Sequence, residues 1–344
     1  MISFCNDYSE GACDEILVAL QESNRVQSVG YGEDEYCLKA KETIYKELDN
    51  KEVDIHFLVG GTQANLTIIS AALRPYEAVI AVDSGHINVH ETGAIETSGH
   101  KVVIAKGCKG KISVEGIREV VQLHNDEHMV KPAMVYISNA TEIGTIYHKD
   151  ELIAISKVCK ELGLFLFMDG ARMGAALSAS DNDLSFADVA KYCDVFYIGG
   201  TKNGALFGEC VVIVNEKLKK DFRYMIKQRG GMLAKGRLLG IQFLTLFEKN
   251  LYLSIASHAN KMAQEMQSAM ISEGTKFFVE TTTNQIFPIL PNTIIKKLEE
   301  KYAFQVWEKI DDTHTAMRFV TSWATREEDV HSFISDFKQI KKEH

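Results

Sequence analysis

Lys202 and Asp169 are the two side chains whose type and position most strongly suggest covalent chemistry. Lys202 lies in "YIGGTKNGALFGE" (197–209), directly after an apolar run, and Asp169 follows the apolar run "LFLFM" (164–168). Open α/β sheets bind ligands beyond the carboxyl ends of their strands. A lysine shielded from water there has its ammonium form disfavoured, which makes it a candidate imine-forming amine. The competing interpretation is a solvated lysine in a turn.

Asp169 narrows the chemistry that this lysine could perform. Taken alone, an aspartate after a buried strand binds magnesium, ribose or a protonated ring nitrogen. Combined with an imine-forming lysine two loops away, it favours the ring nitrogen of pyridoxal phosphate, because a carboxylate keeps that nitrogen protonated and the ring electron-accepting. We expect Gly199, Gly200 and Gly204 to make room beside Lys202 for this flat cofactor.

A second glycine-rich stretch, "FLVGGTQANLTIISAAL" (57–73), predicts an anion site. An apolar run leads into Gly60, Gly61 and Thr62, and apolar residues then recur at helical spacing. The free N–H groups and the positive dipole end of such a helix start bind a phosphate. An ordinary turn is the alternative. The stretch matches neither GxGxxG nor a Walker P-loop, which lowers the case for a dinucleotide or a nucleoside triphosphate.

Two histidines follow another apolar run in "DSGHINVHETGA" (83–94). The spacing of His86 and His90 can bind zinc on a helix, but the third ligand and the general-base glutamate expected inside that spacing are missing. We therefore expect the imidazole of His86 to stack on a planar pyridine ring, and we predict no metal site.

Arg318 is embedded in the apolar, strand-like run "THTAMRFVTSWA" (313–324). An arginine in such surroundings needs an anion, either an internal carboxylate or a substrate carboxylate held by two parallel hydrogen bonds. An amino-acid substrate favours the second interpretation.

The elements that must position these residues alternate between apolar runs and amphipathic stretches. Helices are predicted over 113–124 and 149–163, and strands over 77–82, 101–105, 133–138, 164–168 and 194–198. This alternation predicts an α/β fold with a mostly parallel sheet flanked by helices.

The run 209–214 follows its predecessor too closely for a helical crossover, so we expect an antiparallel strand there. From about residue 235 a long helical tract leads towards strand, strand, helix, strand, strand, helix, which suits a smaller α+β domain. We expect an N-terminal arm (1–20), a large domain (21–248) and a small C-terminal domain (249–344).

Composition excludes several classes of partner and compartment. The net charge of −9 contains no basic stripe for nucleic acid, and no segment is apolar and long enough to span a membrane. The seven cysteines are scattered and lack a CxxC pair, which argues against a disulfide framework and a zinc ribbon. We expect a soluble, cytoplasmic protein with a small-molecule substrate.

The motifs "GGTQAN", "GHINVHETGA", "MDGAR" and "TKNGALFG", in this order and spacing, resemble those of the pyridoxal-phosphate-dependent threonine aldolases. These enzymes have the aspartate-aminotransferase fold (fold type I) and fall within the broader β-eliminating lyase group. The likeness covers nearly the whole chain, from "NDYSEG" to Arg318.

For the cofactor, the resemblance implies that Lys202 bonds covalently to its aldehyde carbon, with Thr201 beside it. Asp169 would pair with the pyridinium nitrogen, and His86 would stack on the ring. Arg172 would contact the side of the ring that carries the phenolic oxygen.

For the phosphate and the substrate, the resemblance implies that Gly61 and Thr62 bind the cofactor phosphate. Asn6 and Arg318 would bind the substrate carboxylate. Asn6 replaces a serine that is more usual in this family.

Two departures from the family pattern concern the base and the phosphate. Glu142 in "ISNATEIG" stands where a histidine near the substrate hydroxyl is expected, and Leu233 stands where many members have an arginine. Enzymes of this family usually complete each active site across a subunit boundary. A homodimer or homotetramer is therefore expected, with Tyr31, Arg229 and Lys235 as residues that could serve a neighbouring subunit.

The activity implied is retro-aldol cleavage of threonine or allo-threonine to glycine and an aldehyde. Glu142, His86 or a bound water would take the hydroxyl proton. The alternative within the same cofactor class is β-elimination or another transformation at Cα. Outside this cofactor class, the alternatives are a Rossmann-type oxidoreductase and a catalytically silent binding protein. The missing GxGxxG argues against the first, and the presence of both Lys202 and Asp169 argues against the second.

Overall fold

A computed structural model describes residues 1–343 of the chain. The helices are α1 (Asp14–Ser23), α2 (Glu35–Leu48), α3 (Gly61–Ala72), α4 (His86–Val89), α5 (Ala94–Thr97), α6 (Val114–Leu123), α7 (Lys149–Leu162), α8 (Met173–Leu177), α9 (Phe186–Tyr192), α10 (Glu216–Lys219), α11 (Phe222–Gln228), α12 (Arg237–Phe247), α13 (Leu251–Ser272), α14 (Asn292–Leu298) and α15 (Glu327–Lys342). The strands are β1 (Ile2–Ser3), β2 (Asp54–Leu58), β3 (Glu77–Val82), β4 (Val102–Ala105), β5 (Gly107–Cys108), β6 (Lys111–Ile112), β7 (Lys131–Ser138), β8 (Phe165–Asp169), β9 (Val195–Gly199), β10 (Glu209–Ile213), β11 (Lys276–Val279), β12 (Gln285–Pro291), β13 (Tyr302–Ala303), β14 (Gln305–Lys309) and β15 (His314–Val320).

Seven of these strands form the central sheet, in the order β2-β10-β9-β8-β7-β3-β4. Neighbours from β9 to β4 are parallel, whereas β10 is antiparallel to both β9 and β2. This confirms the mostly parallel sheet and the antiparallel strand near 209–214. Because β10 runs in the opposite direction, its first residue, Glu209, lies at the edge where its neighbours end, opposite Gly199 and Leu58.

The strands are apolar throughout because helices cover both faces of the sheet. Strand β3 shows this alternation: Ala78 and Ile80 pack into the core on one face, and Val79 and Ala81 into the core on the other. All four side chains are fully buried. Full burial of a side chain such as Ile80 contributes roughly 1.5–3 kcal/mol, so neither face tolerates a polar residue there.

Helix α7 illustrates how local sequence sets the position of a functional strand. It begins after His148, where the Glu151 side chain accepts the His148 backbone N–H at 2.8 Å, and it ends at Gly163, whose φ is 69°. Glycine is favoured at such a left-handed helix end. The helix expected over 149–163 is confirmed, and the chain turns directly from it into β8, which ends at Asp169.

The C-terminal part has its own antiparallel sheet, in the order β11-β12-β15-β14. Its core includes Met266, Phe319, Phe333 and Phe337. The order of elements matches the expected α+β pattern except for the additional two-residue strand β13, which pairs in parallel with β1 at the N-terminus. The boundaries proposed at 20/21 and 248/249 stay predictions.

The helical tract expected from residue 235 is interrupted. A 3-10 turn at Glu248–Asn250 separates α12 from α13, and Asn250 has a φ of 58°, a left-handed conformation that asparagine tolerates better than most residues. Helix α12 packs on α1 and α2 beside the large sheet, whereas α13 packs on α8, α15 and β12. The break thus lets one tract serve both sheets. None of the helices in residues 1–343 has the length and apolarity of a membrane span.

Candidate active site

The carboxyl edge of the central sheet gathers the residues that the sequence singled out. Strand β3 is followed by His86, β7 by Glu142, β9 by Lys202, and β8 ends on Asp169 itself. Since these strands are parallel, their ends meet at one edge. Burial lowers the pKa of His90, and the nearby basic side chains His86, Arg318, Lys202 and Arg172 lower it further, so these side chains act on one region.

Lys202 is half-buried, and its ammonium has no hydrogen-bond or ion-pair partner among residues 1–343. Burial lowers the pKa of Lys202, and the positive charge of Arg172 lowers it further. Attraction to Asp7, Asp169 and Glu209 only partly opposes this. An amine that is easily deprotonated and that no protein group engages is suited to forming a covalent bond.

The carboxylate of Asp169 is buried and held by hydrogen bonds from several directions. Tyr136 Oη donates to Oδ2 at 2.5 Å, Asn65 Nδ2 donates to the same oxygen at 3.1 Å, and a backbone N–H two residues on donates to Oδ1 at 2.9 Å. Burial acts to raise the pKa of Asp169, but attraction to His86 and hydrogen bonds from Tyr136 and Tyr197 outweigh it, so the pKa is lowered. An ionised acid in this position suits a protonated ring nitrogen.

A hydrogen-bonded chain connects Asp169 to His86. Asn65 Nδ2 also donates to Glu91 Oε1 at 2.7 Å, and the same oxygen lies 2.8 Å from His86 Nδ1. A carboxylate only accepts hydrogen bonds, so the His86 hydrogen belongs on Nδ1 and Nε2 is left free to accept. This fixes both the tautomer and the orientation of the half-buried ring. His86 begins the short helix α4 and His90 directly follows its last residue, with the two ring centroids 5.5 Å apart.

Glu142 lies against the same histidine. Its Oε1 accepts the backbone N–H of His86 at 3.0 Å and the hydroxyl of Ser138 at 2.7 Å, while its Oε2 is buried without a partner among the described residues. Burial raises the pKa of Glu142 despite the opposing effect of the Ser138 hydrogen bond, and the negative charge of Asp169 adds to the increase. A carboxyl with an unpartnered oxygen and a raised pKa is suited to accepting a proton.

Arg172 forms a bidentate ion pair with Asp7, a residue that the sequence analysis did not single out. Arg172 Nε donates to Oδ2 at 2.7 Å and Nη2 to Oδ1 at 3.0 Å, and Asn284 Nδ2 also donates to Oδ2 at 2.9 Å. Burial acts to raise the pKa of Asp7, but Arg172, Lys202 and the hydrogen bond from Asn284 together lower it by more. The contact expected between Arg172 and the cofactor stays a prediction.

Arg318, by contrast, lacks a carboxylate partner within the described chain. Its Nε is buried and unpaired, and its Nη2 donates only a long hydrogen bond, 3.4 Å, to the carbonyl of Cys5. Burial lowers the pKa of Arg318, and repulsion from Arg172 adds to this. Such a guanidinium favours an anionic ligand. Asn6 follows Cys5, whose carbonyl accepts the long hydrogen bond from Arg318. Its side-chain oxygen accepts the backbone N–H of Tyr8, which leaves the amide NH₂ available as a donor.

The start of α3 has the features of the predicted phosphate site. Gly60 precedes the helix, and the N–H groups of its first turn point out of the helix without backbone partners. A Cβ at Gly61 would lie 3.0 Å from Tyr197 Oη, the hydroxyl that also hydrogen-bonds Asp169. Gly61 therefore allows the helix start to approach this tyrosine closely. Thr62 is exposed beside it.

The glycines beside Lys202 have a different role from the one expected. A Cβ at Gly199 would lie 2.5 Å from the carbonyl oxygen of Ala171, and one at Gly200 would lie 2.9 Å from that of Gly208. The space that these two glycines leave is thus filled by neighbouring backbone. They allow the turns after β8 and β9 to pack closely, so the expectation that they make room for a cofactor is wrong.

The three residues expected to serve a neighbouring subunit have no hydrogen bond or ion pair to Lys202 within residues 1–343. Tyr31 is exposed, with Lys227 Nζ 5.1 Å from its ring centroid, and Lys235 is exposed as well. Arg229 has a buried Nε without a partner among the described residues, and its carbonyl accepts a hydrogen bond from Gln63 in the first turn of α3. Arg229 thus lies beside the candidate phosphate site of its own subunit, and a role across a subunit boundary stays a prediction for all three.

Several residues of the site were not identified from the sequence. Asp7 and Asn65 lie inside the motifs "NDYSEG" and "GGTQAN". The family motif around each of them could therefore have indicated a place in the site. Glu209 begins the antiparallel strand, which could have placed it at the same edge. In the sequence, Tyr136 and Tyr197 are indistinguishable from ordinary apolar strand residues. Their hydroxyls reach Asp169 because of the register of β7, β8 and β9.

The side chains and backbone groups gathered at this edge fit pyridoxal phosphate. Four features lie along one sheet edge. They are an amine without a partner in residues 1–343, an ionised buried carboxylate, a half-buried imidazole with a fixed tautomer, and a helix start with open N–H groups. Each matches one part of that molecule: the aldehyde, the ring nitrogen, the ring face and the phosphate.

Comparison with known proteins gives consistent results. The family model described as beta-eliminating lyase matches residues 9–291. The low specificity L-threonine aldolases of a Pseudomonas species and of Pseudomonas aeruginosa are 33% and 32% identical, in each case over 98% of this chain and 97% of the relative. A solved structure of Leishmania major threonine aldolase is 47% identical, with a TM-score of 0.98 over 99% of this chain and 100% of that one. An aspartate aminotransferase from Thermus thermophilus, 14% identical, shares the fold with a TM-score of 0.73 over 99% and 91% of the two chains.

Proposed function

This chain belongs to the beta-eliminating lyase family, and on that premise we propose how its residues cleave threonine to glycine and an aldehyde. It is a pyridoxal-phosphate-dependent lyase of fold type I, as the matched family, relatives and structures indicate. Allo-threonine is the second substrate that we propose. The observation that carries the assignment of roles is the partner-free amine of Lys202 at the same sheet edge as the ionised Asp169.

Arg318 and Asn6 bind the substrate carboxylate. The buried, unpaired Nε of Arg318 supports this, since the guanidinium has donors to offer and lacks a carboxylate partner in residues 1–343. Arg172 does not compete strongly for that anion because Asp7 already neutralises it. A substrate fixed at its carboxylate can be held with its Cα–Cβ bond in the reactive orientation, which lowers the entropic part of the barrier.

The residues around the cofactor hold charge and orientation. Pyridoxal phosphate, when bound, supplies an electron sink for the pair left on Cα as the Cα–Cβ bond breaks. Lys202 is the amine that binds it covalently and Asp169 keeps a negative charge beside the ring nitrogen. Asn65 and Glu91 hold His86 so that its ring faces the cofactor. Gly61 and Thr62 provide donors for the cofactor phosphate, and Thr201, whose hydroxyl donates to Glu209, holds the turn that carries Lys202.

Glu142 is the base that we propose for the substrate hydroxyl proton. Its open Oε2 and raised pKa support this choice over His86, whose Nδ1 is engaged by Glu91 and whose ring is needed for stacking. Loss of the hydroxyl proton then accompanies cleavage of the Cα–Cβ bond and release of the aldehyde.

We further propose a cytoplasmic homodimer or homotetramer. The seven cysteines are all free thiols, as a reducing compartment would keep them. Large apolar side chains are exposed between residues 17 and 38, namely Leu17, Val18, Val26, Val29, Tyr31 and Leu38, and they support an interface with a second copy.

The test combines a spectrum with product analysis. Adding pyridoxal phosphate to the purified protein should produce an absorbance band that Lys202→Ala abolishes. The loaded enzyme should convert threonine to glycine and acetaldehyde. Ammonia and a keto acid as products would instead assign β-elimination, and a band that persists in Lys202→Ala would remove the central assignment.

A further inference from the structure

A run of polar residues in the C-terminal part of the chain is buried although the reaction described above does not use it. The run is "TTTNQ" (281–285), which extends from just after β11 to the first residue of β12. Thr283 and Gln285 are 0% exposed, and Thr281 and Asn284 are buried as well. Buried polar side chains cost free energy unless they are hydrogen-bonded, so the partners of these residues indicate what the run does.

Two side chains of this run hold the turn that carries Glu142. The turn, residues 141–144, follows β7 and is closed by a hydrogen bond from the Gly144 backbone N–H to the Thr141 carbonyl at 2.9 Å. Thr283 Oγ1 donates to the Gly144 carbonyl at 2.8 Å, and Gln285 Nε2 donates a longer hydrogen bond, 3.4 Å, to the Thr141 carbonyl. The C-terminal part therefore binds both ends of the turn, with Glu142 between them.

The turn is also packed closely against the same part of the chain. Gly144 has a φ of 77°, and a Cβ there would lie 3.0 Å from Thr281 Cγ2 and 3.1 Å from Thr283 Oγ1. Ile143, the residue after Glu142, packs in an apolar cluster whose other members belong to the C-terminal sheet, namely Val279, Phe287 and Trp307. The backbone of the turn thus has little room to shift, which fixes the point from which the Glu142 side chain extends.

The run also reaches the arginines of the site. Asn284 Nδ2 donates at 2.9 Å to Asp7 Oδ2, the oxygen that also accepts from Arg172 Nε. Strand β12, which begins at the end of the run, is paired with β15, the strand that contains Arg318. The run therefore connects the strand that carries Arg318 with the turn that carries Glu142.

We propose that Thr283 and Gln285 are positioning residues that set the place of Glu142 relative to the bound substrate. The substrate is held at its carboxylate by Arg318, which belongs to the C-terminal sheet, and it gives its hydroxyl proton to Glu142, which follows a strand of the central sheet. The distance between these two groups must match the distance between the carboxylate and the hydroxyl of one substrate molecule. The two hydrogen bonds to the turn keep that distance constant.

The proposal rests on the assignment of Glu142 as the base. If Thr283 acts through Glu142, the loss of its hydroxyl matters only while Glu142 can accept a proton. A Thr283 that merely stabilised the fold would affect kcat equally with glutamate or glutamine at position 142.

The experiment is a double-mutant cycle on the loaded enzyme with threonine as the substrate. Thr283→Val keeps the shape of the side chain but leaves the Gly144 carbonyl without its donor, so kcat should fall about tenfold because the base is misplaced. Thr283→Ser keeps a hydroxyl and should retain most of kcat. In a Glu142→Gln background, Thr283→Val should lower kcat no further.

Two further measurements separate positioning from a general defect. Binding of glycine, followed through the cofactor spectrum, should be unchanged in Thr283→Val, because glycine has the carboxylate but lacks the hydroxyl. The acidic limb of the kcat profile should move to lower pH, since a looser turn admits water and reduces the burial that raises the pKa of Glu142. Weaker glycine binding together with an unmoved limb would overturn the proposal.

Ser156→Ala is the matched control. Ser156 is 3% exposed, and its hydroxyl donates to the Tyr192 carbonyl at 2.7 Å, between α7 and α9. Its loss removes the same kind of buried hydrogen bond as Thr283→Val. The control should therefore lose a similar amount of thermal stability and leave both kcat and the acidic limb unchanged.

An unchanged kcat in Thr283→Val, or an equal fall in both backgrounds, would overturn the proposal. An unchanged kcat in Glu142→Gln would instead contradict the assignment of the base, so the two failures are distinguishable. If Thr283→Val does not fold, Gln285→Met removes the donor at the other end of the turn and enters the same cycle. Its expected effect is smaller, because its hydrogen bond is longer, and equal falls in both backgrounds would again overturn the proposal.

Discussion

The guanidinium of Arg172 and the carboxylate of Asp7 form a buried, bidentate ion pair, with Nε–Oδ2 at 2.7 Å and Nη2–Oδ1 at 3.0 Å. It ties the N-terminal segment to the loop after β8. Arg318, unlike Arg172, keeps a buried Nε without a partner among the described residues. The two arginines have different chemistry because one has an internal carboxylate and the other does not.

The Asp7–Arg172 pair should contribute strongly to stability. Asp7→Asn would leave the Arg172 charge buried without compensation, so we expect the free energy of unfolding in urea to fall by about 3–5 kcal/mol. Asp329→Asn is the control, because Asp329 forms a bidentate pair with the exposed Arg326. That change should cost less than about 1 kcal/mol. Equal losses in the two variants would show that Asp7 does not compensate a buried charge.

Arg318 should determine the affinity for the carboxylate of the ligand. In Arg318→Leu the binding of glycine, followed through the cofactor spectrum, should weaken about 100-fold, since charged hydrogen bonds contribute roughly 1.5–3 kcal/mol each. Binding of methylamine, which lacks a carboxylate, should be little changed. Arg326→Leu, at an exposed position, should affect neither ligand. A parallel loss of methylamine binding in Arg318→Leu would point to a general structural defect.

Glu142 and His86 can be separated as bases by their pH profiles. Burial raises the pKa of Glu142, and a base must be deprotonated, so kcat should decline as the pH falls through this raised pKa. In Glu142→Gln kcat should fall by about 100-fold or more, and that acidic limb should disappear. His86→Phe keeps a ring for stacking and should retain the limb. A limb that survives in Glu142→Gln and vanishes in His86→Phe would assign the base to His86.

Glu209 should make the apo-protein less stable as the pH rises towards 8. Its pKa is raised to about 8 in the folded state, so the folded protein holds a proton that the unfolded chain has already lost above its ordinary pKa. Stability from this group is fully present below that ordinary pKa and is lost as the pH rises through the folded value, with a slope of about 1.4 kcal/mol per pH unit.

Urea unfolding at several pH values measures this slope. Glu209→Gln should remove it, whereas Glu47→Gln, at an exposed position on α2, should not change it. An identical slope in wild type and Glu209→Gln would mean that the carboxyl is already ionised in the folded protein at neutral pH.

The sequence was sufficient for much of the fold because its strands and helices carry strong local signals. Strand β3 occupies residues 77–82 as predicted, and α7 begins at Lys149 and ends before Gly163. In both cases the boundary residues, a charged residue before an apolar run and a glycine after a helix, fix the ends. The break near Asn250 was missed because a left-handed asparagine within an apolar tract leaves no periodic signal.

Side chains that follow a parallel strand were predictable, whereas those that support them were not. Lys202, Asp169 and His86 lie at the expected edge because each follows or ends an apolar run, whereas Glu142 was identified only through the family resemblance. Asp7 reaches Arg172 from the other end of the chain, and such a contact depends on how the N-terminal segment packs rather than on any local pattern. The roles assigned to these residues stay predictions.

The reversed direction of β10 ties Lys202 and the buried carboxyl of Glu209 to one loop. The consecutive neighbours β3-β4, β7-β8 and β8-β9 are joined by helical crossovers, so the length of one connection can change without moving the residues on the next. Residues 200–208 instead form a direct return between β9 and β10, with Lys202 at one end and Glu209 at the other. Inserting or deleting a residue there would displace both groups together, so this loop should be the connection of the site least tolerant of a change in length.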